Sequence, residues 1–150
     1  MVRLSTLCYI EKDGKYLMLH RTVKKNDVNK DKWIGVGGHF ELDESPEECL
    51  LREVKEETGL DIDNPQLCGS KQFQDKEDNR YVVLFYKTNR FSGQLKSSDE
   101  GEVFWIPRSE LKHYTLCEDF EDMVRVFEDP GLSEFYYYTE ENGDWGLKLL

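Results

Sequence analysis

Between Gly38 and Leu60 the chain reads GHFELDESPEECLLREVKEETGL, and no other stretch so tightly limits what it can fold into. Ser45 suits a helix N-cap, and Pro46 suits the first helical position, where a missing N–H costs nothing. Glu48 follows Ser45 by three residues and completes a capping box, and Gly59 supplies a left-handed stop. The spacing predicts a helix from Pro46 to Thr58, with Leu50, Leu51, Val54 and Thr58 on a core-facing side and the acids elsewhere. Glu53, Glu56 and Glu57 are three and four residues apart, so they share a face. Two carboxylates about 4 Å apart repel by about 4 kcal/mol at an intermediate effective dielectric. A hard divalent cation with oxygen ligands offsets that repulsion, and magnesium is the usual one beside phosphates. Arg52 is placed to orient a neighbouring carboxylate through a charge-assisted hydrogen bond. Considered without their context, the same acids also read as a plain solvated helix face.

The flanking segments supply strands. Leu4 to Ile10 and Tyr16 to His20 read as a hairpin across Asp13-Gly14. Thr22 to Lys32 is polar and basic and reads as a loop, and Trp33 to Val36 is a short strand ending in Gly37-Gly38. Further strands are predicted at Leu67 to Gln74, Tyr81 to Thr88 and Val103 to Ile106, with Val82-Val83-Leu84-Phe85 apolar enough for a central strand. Thr115 is the predicted cap of a second helix reaching about Glu128 and stopped by Pro130-Gly131. A last hairpin pairs Phe135 to Thr139 with Trp145 to Leu150 across Asn142-Gly143. Hairpins mixed with two helices imply an α/β chain whose helices pack on a mixed sheet, and 150 residues suit a single domain spanning 1–150.

Charge and cysteine usage exclude several classes. With 20 basic and 31 acidic residues the net charge is -11, which is wrong for coating duplex nucleic acid. A small polyanion remains a candidate ligand if metal cations screen the acids. Cys8, Cys49, Cys68 and Cys117 form no C-x-x-C pair, so a structural zinc site is not expected, and they read as reduced thiols of a cytoplasmic protein. No stretch reaches the roughly 20 apolar residues of a membrane span, and Met1 to Thr6 lacks the order of a secretion signal. Gly35-x-Gly37-Gly38 lacks the Gly-Lys-Ser/Thr ending of a P-loop, and the acids lack the loop order of an EF-hand. Nothing in the sequence sets the oligomeric state.

Glycine, five residues, Glu44, seven residues, then Arg52-Glu53-Val54-x-Glu56-Glu57-x-Gly59-Leu60 fills every defining position of the Nudix box. The segments TLCYI, YLMLHR, KWIGVGG and EVFWIP resemble the strands flanking that box in MutT-type enzymes, and the N-terminal third resembles 8-oxo-dGTP diphosphatases of Gram-positive bacteria. The resemblance implies a Nudix fold, an α/β/α sandwich with the box at 38–60. It also implies metal-dependent hydrolysis of a nucleoside triphosphate to the monophosphate and pyrophosphate, with Mg²⁺ or Mn²⁺ as cofactor. Carried over, Glu53, Glu56, Glu57 and the Gly38 carbonyl are metal ligands, and Glu44 and Arg52 hold loop and helix in register. Glu53 is the first candidate for the base that takes the water proton, and Glu100 or Glu102 is the distal one. The favoured substrate is an oxidised purine such as 8-oxo-dGTP. ADP-ribose and dinucleoside polyphosphates share the box and stand as alternatives. A silent nucleotide-sensing module is disfavoured because all box glutamates are present.

Substrate contacts carry open alternatives. Arg21, Lys24, Lys25 and His39 are candidates for phosphate contact or for plain surface positions, and Gly37 for close backbone approach. Trp33, Tyr114 and Trp105 can stack on a purine or belong to the core. Glu118 and Asp119 resemble in position the acidic pair that reads the oxidised purine in human 8-oxo-dGTPase, or they serve a helix dipole. Thr6 matches a pocket threonine of that enzyme, whereas Ile34 departs from its base-contacting asparagine.

Overall fold

The computed structural model describes residues 1–22 and 30–150; residues 23–29, with Lys24 and Lys25 of the basic loop, lie outside the described residues. Strands β1 (Val2–Lys12) and β2 (Lys15–Arg21) meet at Asp13-Gly14, both with positive φ as a tight hairpin turn requires. The hairpin splits at once. Only Glu11–Tyr16 and Lys12–Lys15 pair across it. Beyond them β1 runs parallel to β6 (Arg80–Thr88) from Val2 to Ile10, while β2 pairs antiparallel with β8 (Gly101–Pro107) and with the two-residue β3 (Trp33–Ile34). On the other side of β6 lie β5 (Gln66–Gln74), antiparallel, then β9 (Glu134–Thr139), parallel to β5, and β10 (Trp145–Leu149). The predicted mixed sheet is therefore present, with parallel pairs at β1–β6 and β5–β9.

Helix α1 (Pro46–Thr58) has the predicted bounds and cap: Glu48 N donates to Ser45 Oγ at 3.1 Å, Ser45 N donates to Glu48 Oε1 at 3.2 Å, and Gly59 turns left-handed at φ 78°. Its buried face differs from the predicted one. Cys49, Leu50, Val54, Glu57 and Thr58 point inward, whereas Leu51 is 38% exposed. A 3.6-residue period through Leu50 and Val54 passes Glu57, not Leu51.

Helix α2 (Phe120–Glu128) begins four residues later than a Thr115 cap predicts, with Asp119 at the N-cap position. Trp33 N donates to the Thr115 carbonyl at 2.8 Å, so that segment is extended and bridges to β3 instead of capping a helix. A 3-10 helix over Arg108–His113 and a small antiparallel pair, β4 (Leu60–Asp63) with β7 (Arg90–Gly93), complete the chain.

The helices cover opposite faces. Cys8 and Ile10 of β1 face α1 with Leu17, Leu19, Val36, Leu50, Val54 and Val103, while Tyr9 faces α2 with Phe85, Phe120, Met123 and Phe127. Strand alternation thus gives β1 a role in both cores, and the architecture is the expected α/β/α sandwich. Among the described residues no helix is long and apolar enough to cross a membrane.

Candidate active site

The loop before α1 is tied to the helix by one guanidinium. Arg52 Nε donates to both Glu44 oxygens at 2.9 and 3.1 Å, Nη1 to Glu53 Oε1 at 2.8 Å, and Nη2 to the His39 carbonyl at 3.0 Å. Glu44 also accepts from Glu41 N at 3.0 Å. The hydrogen bond from Arg52 holds the Glu44 carboxyl below its ordinary value. The register-holding roles expected of Glu44 and Arg52 correspond to these contacts.

Gly37 and Gly38 run close beside the helix. Gly37 has φ 154°, and a side chain there would meet the Thr6 carbonyl at 2.1 Å. At Gly38 a Cβ would fall 2.4 Å from the Glu53 carboxyl carbon. Only glycine lets this backbone pass between β1 and the carboxylates. The Gly38 carbonyl, an expected metal ligand, accepts from Thr6 N at 2.9 Å, which aims it at β1.

Glu57 is the least ordinary member of the group. It is 2% exposed; Oε1 accepts from Gly37 N at 2.7 Å, and Oε2 is buried without a donor from the backbone or a basic side chain among the described residues, the Glu100 carboxyl being the group beside Glu57. Burial first, then the adjoining Glu100 carboxyl, push its carboxyl up to about 9, opposed by the Gly37 N–H. Glu53 is raised as well, by burial first, against the Arg52 contact and with the charges of Glu56 and Glu100 adding to the rise. Glu56 is more open and lies 3.4 Å from Arg52 Nη1. Glu100 therefore joins the box acids. Glu102 does not: on β8 it lies opposite His20 and is exposed. Among the described residues no three acidic, histidine or cysteine side chains already form a metal cage. The donor set nevertheless suits a hard cation, because a buried carboxyl with no basic partner among the described residues is crowded by the further carboxylates of Glu53 and Glu100.

Across Gly37–Gly38–His39 from these acids lies a cleft of about 540 Å³ on the α2 face of the sheet. Of the residues the sequence singled out as candidate substrate contacts, Thr6, Arg21, Gly37, Gly38, His39 and Glu118 line it. Thr6 Oγ1 lies 3.5 Å from the Gly38 carbonyl and 3.7 Å from Cys49 Sγ, so its hydroxyl faces α1. Ile34 also lines the cleft.

Trp33 does not. It stacks on His20 at 4.5 Å and packs edgewise on Tyr114 at 5.2 Å; Trp105 packs on Phe91 at 5.3 Å. Asp119 lies before α2 in a left-handed conformation without capping it, and its carboxylate accepts from the Tyr137 hydroxyl.

The cleft wall adds residues that the sequence did not single out, among them Lys71, Phe73, Tyr137 and Trp145. The Lys71 ammonium lies 5.5, 5.3 and 5.2 Å from the ring centres of Phe73, Phe135 and Tyr137. Burial lowers its affinity for a proton, and the charges of Cys117, Asp119 and Glu118 oppose that. A lysine between Ser70 and Phe73 looks solvent-facing in the sequence. Its inward position follows from the long-range pairing of β5 with β6 and β9.

The NUDIX domain model matches residues 1–127. The chain belongs to the Nudix family. An uncharacterised Nudix hydrolase of Bacillus subtilis is 31% identical over 117 residues, covering 75% of this chain and 70% of its own. The ADP-ribose pyrophosphatase of Methanocaldococcus jannaschii is 32% identical over 118 residues, covering 74% and 68%. In structure, the mutator MutT protein of Bacillus halodurans superposes with a TM-score of 0.74 over 98% of this chain and 97% of its own, at 21% identity. The protein is thus a Nudix hydrolase acting on nucleotide derivatives, with a MutT-like fold.

Proposed function

We propose that this Nudix protein, with residues 1–150 as one domain, is a magnesium-dependent nucleoside triphosphate diphosphatase. It would release a nucleoside monophosphate and pyrophosphate, with an oxidised purine deoxynucleotide such as 8-oxo-dGTP as substrate. The observation that carries the reading is the junction at Gly37–Gly38–His39, where the buried Glu57 carboxyl, with a second acid, Glu100, beside it, adjoins one end of an apolar-walled cleft. A cleft of about 540 Å³ accommodates a nucleotide. Support for the oxidised purine comes from Glu118 in the cleft wall and from a Danio rerio relative, 28% identical over 118 residues, named an oxidised purine nucleoside triphosphate hydrolase.

Glu53, Glu56 and Glu57 would hold the cation, with Mn²⁺ as the alternative to Mg²⁺. Such an ion, when bound, neutralises charge on the diphosphate and lowers the pKa of water. The chain's own groups do the rest. Arg52 keeps Glu53 oriented through its 2.8 Å contact and fixes the loop through Glu44. Arg21, Lys32 and His39 line the cleft and would face the phosphate chain. The proton of the attacking water passes to Glu53 or to Glu100, both adjoining Glu57.

The test is hydrolysis with Mg²⁺ across dGTP, 8-oxo-dGTP, the other dNTPs and ADP-ribose, reading phosphate and pyrophosphate. Selection of 8-oxo-dGTP over dGTP with pyrophosphate released supports the reading. Activity centred on ADP-ribose, as the name of the Methanocaldococcus relative would suggest, overturns the substrate and keeps the box chemistry. Nucleotide binding without turnover of anything identifies a sensor.

A further inference from the structure

We propose that Lys71 and Glu118 read the nucleobase as a pair, so that the cleft selects bases presenting an oxo group beside a ring N–H over bases presenting an amino group beside a bare ring nitrogen. The proposal rests on the cleft taking a nucleotide, as argued above.

The sheet itself supplies the ruler. His39 bridges to Ser5, Ser5 pairs with Val83, and Val83 pairs with Lys71, so these residues form one cross-strand row. All of them line the cleft. Three strand spacings make the row roughly 14 Å long, comparable to an extended nucleotide measured from base to phosphates. With His39 and Gly38 at the catalytic end, the phosphates belong there and the base belongs against Lys71.

At that far end the polar groups are few. The Lys71 ammonium rests against the rings of Phe73, Phe135 and Tyr137 and has no hydrogen-bond acceptor among the described residues. Aromatic faces soften the cost of holding a cation there but use none of its donors. The Tyr137 hydroxyl donates to Asp119, which engages that carboxylate. Glu118 also lines the cleft, near enough for its charge to act on Lys71. The wall therefore offers a donor that cannot accept beside an acceptor that cannot donate.

Base edges match this pattern or invert it. Guanine and its 8-oxo form present O6 beside N1–H, and thymine presents O4 beside N3–H. Adenine and cytosine present an exocyclic amine beside a bare ring nitrogen, which would set the amine against the ammonium and the lone pair against the carboxylate. A site built on such a pair rejects the inverted edge because its own groups are then left unpaired.

The experiment compares kcat/KM for dGTP, dITP, dATP, dTTP and dCTP, together with equilibrium binding of dGMP and dAMP without metal. Wild type is expected to favour dGTP and dITP over dATP, and dTTP over dCTP, by roughly 10- to 100-fold, the value of one hydrogen bond to a charged group. Retention of the preference by dITP shows that the 2-amino group is not what is read. Lys71→Met is expected to collapse the dGTP:dATP and dGMP:dAMP ratios toward one. Glu118→Gln, at an exposed position, is expected to lower both ratios and decides the matter if Lys71→Met does not fold by thermal melt. Unchanged ratios in both variants, or a wild type that prefers dATP and dCTP, overturn the proposal and leave the diphosphatase reading intact. Preference for dGMP in binding, lost in the variants, with no nucleotide hydrolysed, keeps this proposal and overturns the diphosphatase.

Discussion

Glu57 carries the sharpest consequences at the scale of single residues. Its carboxyl is pushed up to about 9 from an ordinary 4.5 by burial and by Glu100. Between those values the folded protein binds a proton that the unfolded chain has released, so metal-free stability should fall as pH rises from about 4.5 to about 9 and level off above. Glu57→Gln should flatten that slope, which melting curves against pH in a chelator will show; an unchanged slope would place its origin elsewhere. A cation must displace the same proton, so Mg²⁺ affinity should rise with pH below about 9, with proton release readable by calorimetry in two buffers and missing in Glu57→Gln. Turnover should drop by at least about 100-fold in Glu57→Gln and in Glu53→Gln, with the folded state retained. Glu57 could be singled out from the sequence because its place in the box is local. That it is buried was not, since burial is set by Gly37 crossing above it and donating at 2.7 Å.

Elements differ in how far their own residues announce them. Helix α1 carries its start, stop and cap within fifteen residues, Ser45 to Gly59, so its bounds could be read directly. Removing the cap with Ser45→Ala should cost about 1 kcal/mol in denaturant melts. Its inward face needed the structure: Leu50→Ala should cost about 2–5 kcal/mol, whereas Leu51→Ala, at 38% exposure, should cost far less. Equal losses would contradict the observed face. Helix α2 was misread at its start because Thr115 has the chemistry of a cap but gives its carbonyl to Trp33. The β4–β7 pair escaped notice for a related reason, as four-residue strands draw their order from a partner thirty residues away. The cleft was the least legible part. Lys71, Tyr137 and Trp145 come from β5, from β9 and from the start of β10, and meet only through strand register.

For the whole molecule, a net charge of -11 and a cluster of box carboxylates would make the proposed divalent cation a partner in stability as well as in catalysis. At a free Mg²⁺ concentration 100 times its dissociation constant, the gain is about 2.7 kcal/mol, or roughly 5–10 °C in melting temperature. Chelation should reverse it, and a melting point indifferent to Mg²⁺ would argue against a bound cation in the ground state. Strand β1 has a wider implication. Thr6 and Cys8 back the Gly37–Gly38 loop and α1, with Thr6 reaching the cleft rim as well, whereas Leu7 lines the cleft and Tyr9 packs toward α2. On the proposed function the strand works as a bulkhead between two compartments, one for the bond-breaking apparatus and the other for the ligand's identity. Amino-acid changes on the cleft side can accumulate without disturbing the loop behind it, so new substrate preferences can arise in this scaffold while the reaction stays the same.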